Sequence, residues 1–333
     1  MNHPITLRCG LRAELAGLAY LREALKLSVR ALLYPRQTAR WLALLNSHPL
    51  FGQMLPSCPR LVNKIYRSYF STRLRCQDRL ELLQTHYDSV IEAGLAPLVA
   101  RAAQGPVEVC RLQARADPDY RIELRAGGVL CREGELILQL MHGADLLQSV
   151  AFSFVRGGTS PAIGIGIGCL QGAPGGGGLE RIRNATRELH GMRPKNLLVR
   201  MVRQFGHDLG CDQLVLVGNR NRVVTASMRR GKVHADYDSL WQELRAAPGP
   251  DGNYRLVCDD LPAPQLEEIA SKKRSEARKR HAMLLAAVAA IRSQVARSQS
   301  TAAPLRLVHS AAAAPAAPLL TSACALQARL YAE

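Results

Sequence analysis

The residues best suited to chemistry lie in one short segment, His190-Gly191-Met192-Arg193-Pro194-Lys195. Proline at the first position of a helix leaves the amide groups of that turn free, and Arg193 and Lys195 stand beside the positive end of the helix dipole. Amides and cations together suit an anion such as a pyrophosphate. An ordinary helix start with solvated cations fits the same residues. We therefore take Arg193 and Lys195 as candidate cofactor-binding residues.

Two side chains in this half of the chain could move a proton. His190 ends a predicted helix, and an imidazole with its usual pKa of about 6.5 can act as a general base. Tyr237 lies between Asp236 and Asp238 and could act as an acid or touch a substrate. Buried histidines and packed tyrosines are the common alternatives. His190 and Tyr237 are the candidate catalytic residues.

Alternating glycines from Gly164 to Gly168 precede this segment. They fall inside a predicted strand, so they lack the strand-to-helix position of a dinucleotide-binding fingerprint. Glycines in a strand let a backbone or a ligand approach closely. We expect the glycine face to leave room for the arm of a cofactor, with Gly168, Gln171 and Gly172 among its contacts.

A cluster of six cations opens the last predicted helix, at residues 266–298. Its members are Lys272, Lys273, Arg274, Arg278, Lys279 and Arg280. A solvated basic face is the ordinary interpretation of such a cluster, and contact with anionic lipid or RNA is the alternative.

Composition limits the partners that these residues could serve. The 333 residues contain 44 Lys and Arg against 27 Asp and Glu, and the formal net charge of +17 favours an anionic partner. Aromatic residues make up 5%, too few for a surface that stacks bases. Nine dispersed cysteines without a C-x-x-C pair indicate reduced thiols in a cytoplasm and no structural metal site. No apolar stretch reaches the length of about 18 residues that a transmembrane helix needs.

Helices are predicted first along the chain. Leu18, Leu21, Leu25 and Val29 recur at helical spacing up to Pro35. Further helices are expected after Pro35, after Pro59 and over residues 76–93. The chain therefore begins with an all-helical region.

From about residue 107 the apolar period changes to two, which predicts strands. The strands are expected at residues 107–112, 120–124, around Leu130, and at 136–140, 147–155 and 162–170. Two helices then follow at residues 179–190 and 195–209, and a short apolar strand at 214–217. A meander followed by a helix and a buried strand predicts an α+β core with a central antiparallel or mixed sheet.

Four regions result from these patterns. They are a helical leader at 1–95, the α+β core at 96–265, a basic amphipathic helix at 266–298 and a flexible tail rich in Ala and Pro at 299–333. The order of elements in the core resembles that of Gcn5-related N-acetyltransferases, which bind the pyrophosphate of coenzyme A before a helix. The chain lacks their Q/R-x-x-G-x-G/A loop, so the resemblance is architectural.

The chain also resembles the VirK/YbjX family of Gram-negative bacteria. The segments that carry the resemblance are 46–50, 86–87, 167–172, 185–186 with 189–195, 236–241, 251–254 and 271–274. The blocks L-H-G-x-R-P-K and S-K-K-R are the specific ones, and Met192 stands where Leu is expected. The family has no agreed biochemical function. The resemblance implies a cytoplasmic protein, or one peripheral to the inner membrane, linked with virulence and the cell envelope; it supplies no catalytic residues.

Two functions follow as hypotheses. The first is a transferase that moves an acyl or aminoacyl group to an amine from a phosphate-bearing donor such as coenzyme A. Arg193 and Lys195 would hold the phosphates, and His190 or Tyr237 would move the proton. The second is a non-enzymatic accessory protein whose basic helices bind anionic lipid or RNA. The donor, the acceptor and the oligomeric state stay open.

Overall fold

An eight-stranded mixed sheet lies at the centre of the structure, and helices pack against it. The structure is a computed structural model that describes residues 3–11, 17–116, 119–128, 130–156, 162–172, 178–224 and 235–301. The predicted tail therefore lies outside the described residues from position 302 onward. The α+β class is confirmed.

Five helices precede the sheet. They are α1 (Gly17–Leu33), α2 (Pro35–Leu45), α3 (Pro49–Met54), α4 (Cys76–Glu92) and α5 (Ala96–Gln104). Pro35 and Pro49 each begin a helix, because the fixed φ of proline suits the first turn and its missing N–H is not needed there.

The helix predicted after Pro59 is wrong. Only two short 3-10 turns follow this proline, at Pro59–Leu61 and Lys64–Tyr66. Both Leu61 and Val62 are buried, and so are Lys64 and Ile65. Consecutive buried positions do not suit a helix that can bury only one face.

Helix α1 forms where its leucine spacing predicts, but the predicted stripe does not face the protein. Leu18, Leu21 and Leu25 are exposed to solvent, and Val29 is also exposed. All of α1 is described, and Leu27 is its one buried residue.

The strands follow in the sheet order β1-β2-β3-β4-β5-β6-β8-β7. They are β1 (Val107–Arg111), β2 (Tyr120–Ala126), β3 (Leu136–His142), β4 (Asp145–Arg156), β5 (Ile163–Gly172), β6 (Gln213–Leu216), β7 (Ala247–Pro248) and β8 (Tyr254–Val257). The first five form the predicted antiparallel meander, and β6 joins β5 in parallel. Leu130 was expected in a strand but lies in the turn between β2 and β3.

Four more helices complete the described fold. They are α6 (Gly178–Glu188), α7 (Pro194–Asp208), α8 (Tyr237–Glu243) and α9 (Ser271–Thr301). Helices α4 and α7 both pack on β4, where the ring of Phe205 from α7 meets those of Phe152 and Phe154. Helix α4 of the leader and α7 of the core therefore pack on the same central strand.

Helix α9 begins later than predicted and ends later. A 3-10 turn occupies Leu266–Glu268, so the helix starts at Ser271 and continues to Thr301. It packs on α5, β1 and α7. The hydroxyl of Ser298 donates to the carbonyl oxygen of Gly94 over 3.0 Å and accepts from the amide of Leu98 over 3.2 Å. Throughout the described ranges, every helix is too short or too polar to cross a bilayer.

Candidate anion-binding pocket

A cavity of about 590 Å³ opens between the leader and the turn that joins β2 to β3. Its walls come from the loop after α3, from Tyr87 of α4 and from the β2–β3 connection. Four cations line it, Arg60, Lys64, Arg67 and Arg132, with Glu135 as the acidic lining residue. Its volume is in the range of small-molecule sites.

An ion pair between Lys64 and Glu135 forms the floor of the cavity, and both side chains are buried. The hydroxyl of Tyr87 donates to Glu135 Oε2 over 2.6 Å. Burial alone would raise the pKa of Glu135, but the charge of Lys64 and the hydrogen bonds from Lys64 and Tyr87 lower it below its usual value. Burial, together with the charge of Glu135, raises the pKa of Tyr87. The floor therefore holds a carboxylate, an ammonium group and a neutral phenol.

The mouth of the cavity carries positive charge. Arg60 and Arg67 are exposed, while Arg132 is half-buried. Arg132 is held by its Nε, which donates to the carbonyl oxygen of Ser68 over 3.2 Å. Guanidinium groups bind carboxylate and phosphate through paired donors, so this mouth suits an anion.

Hydrogen bonds across β4 hold the floor in place. Ser153 Oγ accepts from the amide of Glu135 over 3.0 Å and lies 2.8 Å from the hydroxyl of Tyr69. The Lys64 ammonium lies 5.0 Å from the centre of the Tyr69 ring, a cation–π distance. The next residue, Phe70, adopts φ +59° and donates its amide to the carbonyl oxygen of Arg132 over 2.7 Å. This hydrogen bond joins the segment that precedes α4 to the β2–β3 connection.

His86 lies behind the floor, next to Tyr87 in α4. Its Nδ1 accepts the amide of Phe154 over 3.2 Å, and its ring stacks on that of Phe154. Among the described residues, its Nε2 has no hydrogen-bond partner. Burial lowers the pKa of His86 to about 4, so its imidazole is neutral at physiological pH.

The groups around this cavity suit binding better than nucleophilic catalysis. Cys58 lines the wall, but burial raises the pKa of its thiol, and the thiolate is the reactive form. Glu135 could accept a proton only by giving up its ion pair with Lys64. In the described ranges, no group of three or more His, Cys, Asp or Glu side chains could hold a metal ion.

The predicted glycine face is filled by the protein itself. A Cβ at Gly168 would lie 1.9 Å from the carbonyl oxygen of Glu133, and one at Gly166 would lie 2.4 Å from the Phe70 ring. At Gly164 the neighbour is the carbonyl oxygen of Gln213, at 2.6 Å. The expected room for a cofactor arm is therefore absent along this face, because backbone and ring occupy it.

Tyr237 is also committed to the fold. Its hydroxyl accepts from the amide of Leu170 over 2.6 Å and donates to the carbonyl oxygen of Leu170 over 2.7 Å. The Arg222 guanidinium lies 3.7 Å from the centre of its ring. Burial raises the pKa of Tyr237, so this hydroxyl holds its proton. These hydrogen bonds join α8 to β5, so Tyr237 has a structural role.

Arg193 and Lys195 open onto a separate groove of about 880 Å³. Its cations are Arg183, Arg187, Arg193 and Lys195, and its acidic lining residue is Glu180. Outside that lining, Glu243 Oε2 lies 3.6 Å from Arg193 Nη1 and 3.5 Å from Lys195 Nζ. Gln171 and Gly172 are exposed at the end of β5, and Gly172 lies next to Gln148, another residue of the groove. The structure thus groups part of the predicted donor site.

His190 faces a third cavity, of about 620 Å³, with Lys272 and Lys279. It is buried in a left-handed conformation (φ +52°), and its Nε2 lies 3.2 Å from the carbonyl oxygen of Gln113. Arg280 Nη1 donates to its carbonyl oxygen over 3.4 Å. His190 is therefore grouped with part of the basic helix and separated from Arg193.

The rest of the basic cluster points in several directions. Lys273 and Arg278 are exposed, whereas Arg274 Nε donates to the carbonyl oxygen of Ile269 over 3.0 Å. The six cations therefore do not form one continuous binding face.

Sequence reasoning missed the pocket. Lys64, Tyr87 and Glu135 come from three separate segments, and none of the three was predicted as a site residue. A usable signal was present, because Lys64 lies next to the apolar residues Leu61, Val62 and Ile65, and Glu135 directly precedes the apolar run 136–138. A charge in a buried run needs a partner, and here each supplies the other.

Comparison with known proteins places this chain among proteins of unknown biochemistry. Over 263 residues it is 28% identical to the uncharacterized protein YbjX of Escherichia coli (strain K12), covering 78% of this chain and 79% of that protein. An uncharacterized protein of Haemophilus influenzae is 36% identical over 122 residues, which is 35% of this chain and 40% of that protein.

The family resemblance seen in the sequence is confirmed by a match over most of the chain. A family model described as "Protein of unknown function (DUF535)" matches residues 17–293. The matched range includes all the residues that line the pocket. The chain therefore belongs to the VirK/YbjX family, DUF535, whose function is unknown.

Proposed function

We propose that this protein binds an anionic small molecule in the pocket above the Lys64–Glu135 pair. The observation that carries the proposal is four cations against one carboxylate around a cavity that is open at its mouth. Because Glu135 neutralises Lys64, the exposed Arg60 and Arg67 supply the positive charge for a ligand, with the half-buried Arg132 beside them.

The lining also indicates what the rest of the ligand is like. Met54, Leu61 and the rings of Tyr69 and Tyr87 line the cavity beside the cations. Apolar and aromatic walls with a few placed charges are typical of small-molecule sites. The ligand is an anion with an apolar or aromatic part, rather than an inorganic ion alone.

The transferase hypothesis is a second candidate, supported by the groove at Arg193. Two cations of α6 and two at the start of α7 gather there, and β5, α6, α7 and the parallel β6 follow one another in an order that resembles Gcn5-related N-acetyltransferases. A phosphate-bearing donor would then lie along the outside of the groove. The glycine face is filled by backbone and by the Phe70 ring, and the carbonyl oxygen of Leu170 already accepts a hydrogen bond from Tyr237. Links to the envelope and to virulence, implied by the family resemblance, stay predictions.

Two matched pairs of variants separate these candidates. Arg60→Ala with Arg67→Ala removes two exposed cations from the pocket, and Arg193→Ala with Lys195→Ala removes two from the groove. Coenzyme A and inorganic pyrophosphate serve as probes, with affinity measured by calorimetry. A hydrogen bond to a charged group contributes about 1.5 to 3 kcal/mol, so losing two should weaken binding by more than about tenfold.

The pocket proposal expects weaker binding of at least one probe in the first pair and unchanged binding in the second. The opposite pattern would support a donor site in the groove and reject the pocket. Binding that neither pair changes, or binding of neither probe together with no co-purified anion in native mass spectrometry, would reject both sites.

A further inference from the structure

Exposed apolar side chains are concentrated in one helix. Of the eleven large apolar side chains that are exposed in the described ranges, eight lie between Leu18 and Tyr34. Leu21 and Leu25 are 62% and 66% exposed, and Leu32 is 79% exposed. Single exposed apolar residues are ordinary, but a contiguous group of this kind marks an interaction surface.

The group forms a stripe along α1. Leu18, Leu21, Leu25, Val29 and Leu32 follow one another at intervals of three or four residues, which places them on one face. Leu27 is two residues from Leu25, so it lies roughly 160° away around the helix at 100° per residue. Because Leu27 is the buried residue, the leucine stripe is turned away from the protein.

One flank of the stripe is basic. Arg22, Lys26 and Arg30 recur every four residues beside the leucines. The acidic residue of α1 is Glu23, which is paired with Lys26 over 3.0 Å and lies 3.9 Å from Arg22. With three cations against one carboxylate, α1 carries net positive charge.

This charge pattern selects the occupant of the stripe. A second copy of α1 would bring the same cations and a carboxylate that is already paired. A bilayer with anionic head groups offers negative charge to the flank and acyl chains to the leucines.

We propose that α1 docks the protein on an anionic lipid bilayer, with Leu18, Leu21, Leu25, Val29 and Leu32 in the acyl region and the basic flank against the head groups. This proposal does not depend on the pocket. It places the attachment in a helix separate from the basic cluster of α9.

The test uses the full chain and flotation with two kinds of vesicle. One contains phosphatidylglycerol and phosphatidylethanolamine, and the other contains phosphatidylcholine alone. Leu21→Glu with Leu25→Glu places two charges in the stripe. Leu179→Glu with Leu285→Glu is the matched control, since both leucines are exposed outside α1. Circular dichroism shows whether each variant folds.

The unaltered chain should float with the anionic vesicles and much less with neutral ones. The α1 pair should reduce the bound fraction at least about tenfold, and the control pair should leave it unchanged. Equal reduction by both pairs, or no flotation of the unaltered chain, would overturn the proposal. A dimer that dissociates in the α1 pair, without vesicle binding, would assign the stripe to a second copy.

Discussion

The pocket and the groove at Arg193 have the same inventory of charge and use it differently. Each is lined by four cations and one glutamate. In the pocket, one cation and the glutamate are buried against each other. In the groove, the lining glutamate is Glu180. Arg193 and Lys195 instead share Glu243, an exposed residue outside the lining. The number of charges therefore cannot distinguish two such sites. The difference lies in burial, because a buried charge needs a partner inside the protein, whereas an exposed charge is hydrated and can exchange its partner.

The largest expected difference concerns stability. Lys64→Met should lower the free energy of unfolding by about 3 to 5 kcal/mol, because it leaves Glu135 buried without its cation. Arg193→Met breaks only an exposed contact and should cost less than about 1 kcal/mol. Urea denaturation measures both. Lys64→Met with Glu135→Gln should recover part of the loss, and similar losses in the two single variants would remove the distinction.

The buried His86 behind the pocket also predicts that the stability of the protein depends on pH. In the unfolded chain, His86 has its usual pKa of about 6.5. In the folded protein, burial lowers the pKa of His86 to about 4. Stability from this group is therefore complete above pH 6.5 and is lost as the pH falls toward 4, by roughly 3 kcal/mol in total. His86→Asn keeps an acceptor for Phe154 and cannot titrate, so urea denaturation over this range should show a smaller slope. His207→Asn, at an exposed position, is the control; an equal slope in His86→Asn would contradict the account.

Two glycines extend the comparison to packing. Gly168 faces the carbonyl oxygen of Glu133, next to the pocket wall, and an added Cβ would lie 1.9 Å from that atom. Gly168→Ala should cost about 1 to 3 kcal/mol through the forced backbone shift. At Gly172, beside the groove, the nearest atom would be 3.9 Å away, and Gly172→Ala should change stability by less than about 0.5 kcal/mol. Thermal unfolding of the two variants measures this difference. A clear loss of stability in Gly168→Ala alone indicates close packing, and an unchanged stability indicates a free cofactor face at Gly168.

The smallest effect on stability is expected on the basic helix. Lys272→Glu with Arg278→Glu reverses two exposed charges and should change the free energy of unfolding by less than about 0.5 kcal/mol. The same pair tests the accessory-protein hypothesis through binding of a single-stranded RNA oligonucleotide at rising salt. RNA binding that is lost in this pair, and weakened by salt, would favour that hypothesis over the pocket.

Local patterns predicted the elements well. The period-two runs predicted the meander, and the prolines at positions 35 and 194 marked real helix starts. The same reasoning misplaced the third helix. Leu61, Val62, Lys64 and Ile65 are all buried, and Lys64 is paired with Glu135 from the β2–β3 connection, so no period along the chain reports this burial.

The candidate site could be predicted only in its exposed parts. The pattern predicted Arg193 and Lys195 because they lie two positions apart at a helix start, yet the structure leaves them partly exposed and shared with Glu243. The Lys64–Glu135 pair spans 71 positions and exists only once the sheet has brought the two segments together. His190 and Arg193 are three residues apart but face different cavities, because the turn at Gly191 separates them.

The hydrogen bonds of Ser298 to Gly94 and Leu98 have a consequence for synthesis on the ribosome. They join the end of α9 to the turn before α5, across about 200 positions of chain. Until α9 has left the exit tunnel, α5 and β1 lack the helix that covers them. Translation proceeds at roughly 5 to 20 residues per second, so this apolar surface stays uncovered for about 10 seconds or more while a nascent chain waits for its last helix. Chaperone demand should therefore be greatest for chains that stall just before α9.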